Sequence, residues 1–421
     1  MTLREQLDRY KGQGPGFDAA RLVLSISILC WHSVVTSYGH AAETKIWNGL
    51  FSAPLSALMP MFFALSGFLV MGSFERSNNL RGFLGLRALR IVPALSVEIL
   101  ISALMLGSLL TTLPLASYYS DPKFFRYFGS LFGFVNYTLP GVFADNPDPD
   151  RVNLSLWTIA PELMCYVYLG LLMALRLKRT GVTISAIVLL VICLAADSQS
   201  GVDRADTGVV FARFLLMSFA FGNLIYLWRE YIPFRWDLLV VSIVVGCLFI
   251  KTPVLIYLSL LCLAYVIVFV GCVPIFVPKP FSTGDYSYGI YLYAYPIQQT
   301  YAHFFTEHRE FYWNILFCLP ATCLVAAISW WFIEKPALSW RKSLYKLPVA
   351  ATELTFVQMA VPFVLLAVYG VLLFVTSGLF ETGVRLRSMF PWVVVCALVV
   401  VGFRVMFLRF SGRPKYQQSF D

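Results

Sequence analysis

The chain has 421 residues, of which 59% are hydrophobic and 13% charged, and its mean hydropathy is +0.73. Soluble domains carry about 25% charged residues, so this composition excludes an ordinary soluble protein and indicates an integral membrane protein. The net charge of +9 does not predict nucleic-acid binding, because positively charged loops on one side of a membrane explain it.

The apolar segments predict an all-α fold, a polytopic transmembrane helix bundle. The predicted spans are residues 18–38, 47–72, 91–115, 155–175, 182–197, 208–228, 237–250, 253–272, 285–305, 312–333, 355–380 and 389–408. The longest polar stretch, residues 116–154, includes an aromatic run and predicts a cap or re-entrant segment over one mouth of the bundle. The first 17 residues are polar and basic and precede a full-length span, so no cleavable signal peptide is predicted.

Charge distribution predicts the orientation of these spans. With the N-terminus in the cytoplasm, twenty lysines and arginines fall in inside segments and nine in outside segments. This bias predicts that both termini are cytoplasmic. The nine cysteines fall within or at the ends of apolar segments, without a CxxC or a Cys/His cluster, which argues against disulfides and against a metal site.

The first span carries Arg21 and His32, eleven positions apart. On a helix this spacing returns the second side chain to within about 20° of the first and about 16 Å further along the axis. Ionisable groups in a bilayer are costly and mark function by default, and an imidazole suits general-base work on a hydroxyl. The structural alternatives are a core histidine bonded to a neighbouring helix and an arginine that snorkels beside Asp18.

Arg87 and Arg90, in the stretch RGFLGLRALRIVP, share a helix face at the start of the third span. Arginine pairs suit the phosphates of a nucleotide-like cosubstrate. The alternative is the general excess of positive charge on the cytoplasmic side, which we prefer for Arg76 and Arg81.

The stretch VNLSLWTIAPELMCYVYL opens the fourth span. Glu162 lies inside this apolar segment, where a carboxylate must be paired or protonated. It is predicted to orient His32 or contact the acceptor, and the alternative is an ion pair with Arg21, Arg87 or Arg213. Asn153 and Trp157 are predicted at the outer interface as substrate-binding residues, with an aromatic belt as the alternative for Trp157.

The ninth span, GDYSYGIYLYAYPIQQTYAHFF, is rich in tyrosine and includes Gln298 and Gln299. A helix this polar is predicted to line a cavity rather than lipid. Tyr288 and Tyr291 are its predicted substrate-binding residues.

Together these segments resemble the acyltransferase 3 family of membrane acyltransferases, which acylate sugars of polysaccharides, lipopolysaccharide and related glycans. Six motifs in the family's order, between about residues 17 and 342, produce the resemblance. They are Arg21 with His32, FFALSGFLV at 62–70, RALRIVP at 87–93, LWTIAPELMCY at 156–166, DYSYGIYLYAYPIQQ at 285–299 and FIEKP at 332–336. Some members have a histidine before the proline of the fifth motif, and here Tyr295 precedes Pro296, so any role of that histidine does not transfer.

The resemblance implies a ten-helix acyltransferase core over residues 1–345. Residues 346–421 would add two further transmembrane helices and a short basic cytoplasmic tail. The resemblance also implies acyl-CoA, commonly acetyl-CoA, as a cosubstrate bound on the cytoplasmic side, and a glycan or lipid-linked saccharide as acceptor. It implies no permanently bound cofactor. His32 and Arg21, with Glu162, would be catalytic, and Arg87 and Arg90 would bind the donor. The bacterial inner membrane is the expected location.

Two other functional classes remain open from the sequence. The chain is alternatively a transporter of a lipid-linked sugar or organic anion, with Arg21 and His32 as a substrate and proton site. A third alternative is a non-catalytic membrane component of a glycan-assembly complex. The lack of inverted repeats weighs against the transporter.

Overall fold

A computed structural model of the chain describes residues 1–341 except 13, 48, 77–79, 201–210 and 279–282. The described residues are helical without a β-strand, apart from two isolated bridges, Thr2 with Pro233 and Thr138 with Arg151. The predicted all-α class is therefore confirmed. The predicted spans 355–380 and 389–408, and the predicted boundary between residues 345 and 346, lie outside the described residues.

The helices are numbered in chain order. They are α1 (Leu3–Arg9), α2 (Phe17–Trp47), α3 (Ser52–Arg76), α4 (Leu80–Leu100), α5 (Leu115–Ser120), α6 (Pro122–Tyr127), α7 (Ile159–Ala174), α8 (Arg179–Ser200), α9 (Ala212–Leu227), α10 (Trp236–Phe249), α11 (Ile256–Gly271), α12 (Ser287–Phe304) and α13 (Phe311–Ser329). Further turns extend α4 through Ile101–Leu106 and Gly107–Leu110, and α13 through Trp330–Glu334 and Lys335–Ser339. A 3₁₀ turn, Leu154–Thr158, leads into α7.

Each of the ten predicted spans up to residue 333 coincides with a helix of the bundle. Five are long and apolar enough to cross a membrane: Phe17–Trp47, Ser52–Arg76, Gly82–Leu110, Leu154–Ala174 and Phe311–Ser339. Four are shorter apolar helices: Arg179–Ala195, Ala212–Leu227, Trp236–Phe249 and Ile256–Gly271. Helix α12 belongs to neither group, because its tyrosines and glutamines lower its hydropathy. This is expected of a helix that lines protein rather than lipid.

Helices α3 and α9 approach each other backbone to backbone. A Cβ on Gly67 would lie 2.1 Å from the Phe219 carbonyl oxygen, and one on Gly222 would lie 2.0 Å from that of Ala64. Only glycine therefore fits at either position. Small residues at an interface let two membrane helices approach closely, and these two glycines do so here.

Helices α2 and α12 run parallel and are joined by polar contacts. The side-chain amide of Gln298 donates to the Leu29 carbonyl at 2.9 Å and to the Ser33 hydroxyl at 2.6 Å. Helix α2 bends at Gly39, whose φ of 72° favours glycine. The predicted end of the first span at residue 38 therefore corresponds to a real break in the helix.

The segment between α6 and α7 enters the bundle and does not extend away from it. Asn146 donates to the backbone and side-chain oxygens of Gln299 at 2.9 and 2.8 Å, and Gln299 donates to the carbonyls of Asp148 and Arg151 at 2.7 and 2.8 Å. Further along, Asn153 donates to the Leu292 carbonyl. Residues 146–158 thus run antiparallel to α12, which agrees with the predicted cap or re-entrant segment.

Candidate active site

One carboxylate gathers two arginines from different helices at the N-terminal end of α12. Asp285 Oδ2 forms an ion pair with Arg21 Nη1 of α2 at 2.9 Å and accepts a hydrogen bond from Arg90 Nη2 of α4 at 2.6 Å. Its other oxygen accepts from the Ser287 hydroxyl at 2.6 Å. Arg21 also pairs with Asp18, a surface residue, as the structural alternative predicted. Both predicted arginines therefore meet at a residue that the sequence did not single out.

Arg87 is placed differently from Arg90. Its guanidinium donates to the Ser73 hydroxyl at 3.3 Å and lies 5.9 Å from the centre of the Tyr166 ring. Among the described residues it has no carboxylate within ion-pair distance. Arg87 is thus the arginine of this group whose positive charge is least compensated by the protein.

A cavity of about 110 Å³ opens beside these arginines, inside the bundle. All three guanidinium groups contribute to its wall, together with apolar side chains of α3 and α4. The remaining polar wall consists of Ser66, Thr158, Glu162, Tyr166, Ser287, Tyr288 and Tyr291. The cavity therefore combines a cationic end with an apolar interior, a form that suits an anionic molecule with an apolar arm.

Glu162 lies on the cavity wall in the first turn of α7. It accepts a hydrogen bond from the Tyr166 hydroxyl at 2.6 Å. Among the described residues it forms no contact with His32, because His32 lies elsewhere on α2. The predicted roles of Glu162, orientation of His32 or contact with the acceptor, both stay predictions. Arg213, another predicted partner, pairs instead with Asp197 at 2.5 Å.

His32 is buried, and its ring meets the edge of the Tyr295 ring with centroids 5.0 Å apart. Arg21 contacts Asp285 just before α12 and His32 contacts Tyr295 on α12, so both face this helix, as their spacing predicts. His32 Nδ1 is buried and has no hydrogen-bond partner within the described part of the chain. His32 does not line the cavity that holds the arginines.

Tyrosines of α12 lie between the arginine-lined cavity and His32. Tyr288 and Tyr291 line the cavity, and Tyr295 lies one turn beyond Tyr291, against His32. Tyr288 donates to the Ile91 carbonyl at 3.2 Å, and Tyr291 shares a hydrogen bond of 2.8 Å with the Thr158 hydroxyl. A continuous tyrosine face therefore leads from the basic end towards the histidine.

Asn153 makes internal contacts, and its predicted position at the outer interface stays a prediction. Asn153 is fully buried, donates to Glu98 Oε1 at 2.8 Å and to the Leu292 carbonyl at 3.0 Å, and caps the 3₁₀ turn by accepting from the Ser155 amide at 3.0 Å. Its polar atoms are thus occupied within the protein. Trp157 is half-buried against the apolar core around α4 and α7. Their predicted part in substrate binding is untested.

Three acidic residues escaped the sequence reasoning. Asp285 precedes a tyrosine-rich span, which is the signal that would have found it. Glu98 is buried in α4 and also accepts from Ser102 at 2.8 Å. Asp148, in the segment before α7, accepts from the hydroxyl of Tyr295 and from Arg151. Each carboxylate also has a partner that is distant along the chain, and nothing in the sequence predicts these pairs: Asp285 with Arg90, Glu98 with Asn153 and Asp148 with Tyr295.

Burial and charge act in opposite directions on the two loop carboxylates. Burial by itself raises the pKa of Asp285, but the guanidinium groups of Arg90 and Arg21 outweigh it and hold the pKa well below its usual range. Burial also raises the pKa of Asp148, and there the Tyr295 hydrogen bond and the charge of Arg151 offset the shift only in part. The two arginines therefore favour the ionised form of Asp285.

Comparison with known proteins identifies the family to which the chain belongs. The family model described as an acyltransferase domain matches residues 15–334. An O-acetyl transferase of Shigella phage Sf6 is 26% identical over 345 residues, which cover 77% of this chain and 96% of the phage protein. Nodulation protein 10 of Rhizobium leguminosarum bv. viciae is 28% identical over 364 residues, which cover 79% of this chain and 95% of that protein. No solved structure matches the chain.

Proposed function

The chain belongs to the acyltransferase 3 family and is an integral membrane acyltransferase, and from this premise we propose that it moves an acetyl group from acetyl-CoA to a hydroxyl of a cell-surface or exported glycan. The acetyl group is proposed because the phage relative is named an O-acetyl transferase. The glycan acceptor is proposed from the sugar substrates of the family.

The observation that carries this proposal is the cavity with three guanidinium groups at one end. The phosphates of CoA are strong acceptors for guanidinium groups, and the pantetheine arm can extend into an apolar interior. Arg87 is the proposed main phosphate contact, because no described carboxylate compensates its charge. Arg21 and Arg90 would then frame the path of the arm beside Glu162.

His32 is the proposed catalytic group. In direct transfer, His32 takes the proton of the acceptor hydroxyl while the hydroxyl oxygen attacks the thioester carbonyl. The C–S bond then breaks, and the proton passes from His32 to the thiolate to give CoA. In the stepwise route, the imidazole attacks the thioester carbonyl, the C–S bond breaks, and CoA leaves with the imidazole proton. The acceptor oxygen then attacks the acyl-imidazole, the C–N bond breaks, and the acceptor proton passes to the imidazole. Either route requires the acyl group to travel past Tyr291 towards Tyr295, so the cavity would extend along α12 when the donor is bound.

The two substrates are proposed to enter from opposite sides of a bacterial inner membrane. The excess of lysine and arginine supports cytoplasmic termini, and the basic end of the cavity would then face cytoplasmic acyl-CoA. The acceptor would approach from the side of residues 111–153, near Asn153 and Trp157. Tyr288 and Tyr291 are proposed to contact the transferred group along the route.

The proposal is tested with purified protein in lipid nanodiscs, acetyl-CoA labelled in the acetyl group, and lipopolysaccharide or a polyprenyl-linked oligosaccharide as acceptor. We expect label to enter the glycan ester and an equal amount of free CoA thiol to form. Binding of the oligosaccharide without CoA release, or its movement across a vesicle membrane, would instead support the transporter and refute the proposal.

A further inference from the structure

Asp285 joins three membrane helices at the cationic end of the cavity. It stands two residues before α12, and its carboxylate contacts Arg21 of α2, Arg90 of α4 and Ser287 of α12 at 2.9, 2.6 and 2.6 Å. Its side chain is 17% exposed, and those of Arg21 and Arg90 are 23% and 21% exposed. These contacts are therefore largely shielded from solvent, where a charge pair is stronger than at the surface.

Two guanidinium groups on one carboxylate oxygen are stable only while the carboxylate is present. Without its negative charge, two cations would face each other in a partly buried space. Gly284 lets this turn lie close to α13, because a Cβ there would be 2.2 Å from Trp330 Nε1. The position of the carboxylate is therefore fixed by packing as well as by charge.

Two of the cavity arginines also keep donors without a partner. The Nε–H groups of Arg21 and Arg87 are buried and make no hydrogen bond with any described residue. Both residues line the cavity. A buried donor without a partner is costly, so an acceptor atom of a bound molecule would satisfy it.

We propose that Asp285 is a positioning residue of acyl transfer, which fixes Arg21 and Arg90 on the cavity wall and leaves Arg87 to bind the donor phosphates. This inference rests on the proposed function. We call Asp285 with Arg21 and Arg90 the clamp. The clamp directs the Nε–H of Arg21 at the donor arm and holds α2, and hence His32, in register with α12. Asp285 itself does not contact a substrate.

Loss of the clamp should lower kcat much more than it changes the KM for acetyl-CoA. Asp285→Asn should lower kcat by roughly 100-fold, since small displacements of positioned groups can cost that much. Its KM for acetyl-CoA should stay within about 3-fold of wild type or fall, because the cations remain. Asp285→Glu should recover part of kcat. Asp18→Asn removes the exposed partner of the same Arg21 and should change neither constant.

A second measurement tests the clamp without any turnover. Asp285→Asn leaves Arg21 and Arg90 facing each other without their shared anion and should lower the melting temperature in detergent. The double variant Arg90→Ala/Asp285→Asn removes one of these two cations and should melt at a higher temperature than Asp285→Asn alone. A double variant no more stable than Asp285→Asn overturns the clamp.

The outcomes separate this inference from the proposed function. Wild-type protein that transfers no acetyl group from acetyl-CoA refutes the proposed function, and the melting experiment then decides the clamp alone. Wild-type protein that transfers the group, with Asp285→Asn equally fast or altered only in KM, refutes the positioning role and leaves the proposed function standing.

Discussion

Replacing Asn153 by alanine separates an internal anchor from a sugar-binding residue. Asn153 is fully buried and ties the segment before α7 to α4 through Glu98 and to α12 through the Leu292 carbonyl. It also caps the turn that carries Thr158, a cavity residue. The substitution should therefore loosen the cavity wall from behind.

The cost follows from the three hydrogen bonds. Removing an asparagine cap costs about 0.5–2 kcal/mol. A neutral hydrogen bond to the Leu292 carbonyl contributes about 0.5–1.5 kcal/mol, and one to a carboxylate about 1.5–3 kcal/mol. Because one side chain makes all three contacts and the terms are not additive, we expect a loss of about 3 kcal/mol in unfolding free energy, and a lower kcat.

The assay is thermal unfolding in detergent together with steady-state acetyl transfer. The matched control is Asp145→Ala, an exposed residue of the same segment, which should leave the melting temperature and the rate unchanged. An Asn153→Ala protein as stable as wild type, with only a raised KM for the glycan, would refute the anchor and restore Asn153 as a substrate contact.

Three further expectations can be measured on the same preparation. Arg87→Ala should weaken CoA binding in calorimetry by about 1.5–3 kcal/mol, more than the exposed Arg76→Ala, and equal losses would indicate bulk charge instead of a phosphate site. Tyr295→Phe keeps the ring against His32 but removes a hydrogen bond that lowers the pKa of Asp148. As the pH falls, Asp148 would then become protonated at a higher pH than in wild type, so the acidic limb of the pH–rate profile should shift to higher pH. An unshifted limb would show that Asp148 ionisation does not govern the rate. A protein truncated after residue 346 that still inserts should retain acetyl transfer, and a stable truncation with neither turnover nor CoA binding would show that the last two predicted spans complete the site.

Helix positions could be predicted from the sequence because membrane helices must be apolar and satisfy their own backbone. The spacing of Arg21 and His32 even predicted which helix face they share. The start of the third span was misplaced at residue 91, since α4 begins at Leu80. Arginines lower the hydropathy of its first turns but do not prevent a helix from forming.

Contacts between distant segments could not be predicted. Asp285 meets Arg90 across 195 positions and Asn153 meets Glu98 across 55, and hydropathy has no signal for such pairs. The burial of Asn153 could not be predicted for a related reason. A polar residue next to an apolar span suggests an interface, whereas here it is buried because Glu98 and the Leu292 carbonyl satisfy it.

We propose that His32 performs acyl transfer, and substitution of this residue is the sharpest test of that role. Purified His32→Ala in nanodiscs should insert and melt like wild type, yet transfer acetyl groups about 10²–10⁴-fold more slowly. His308→Ala, an exposed histidine after α12, is the control and should retain the wild-type rate. A folded His32→Ala protein with the full wild-type rate would show that His32 is not the catalytic group.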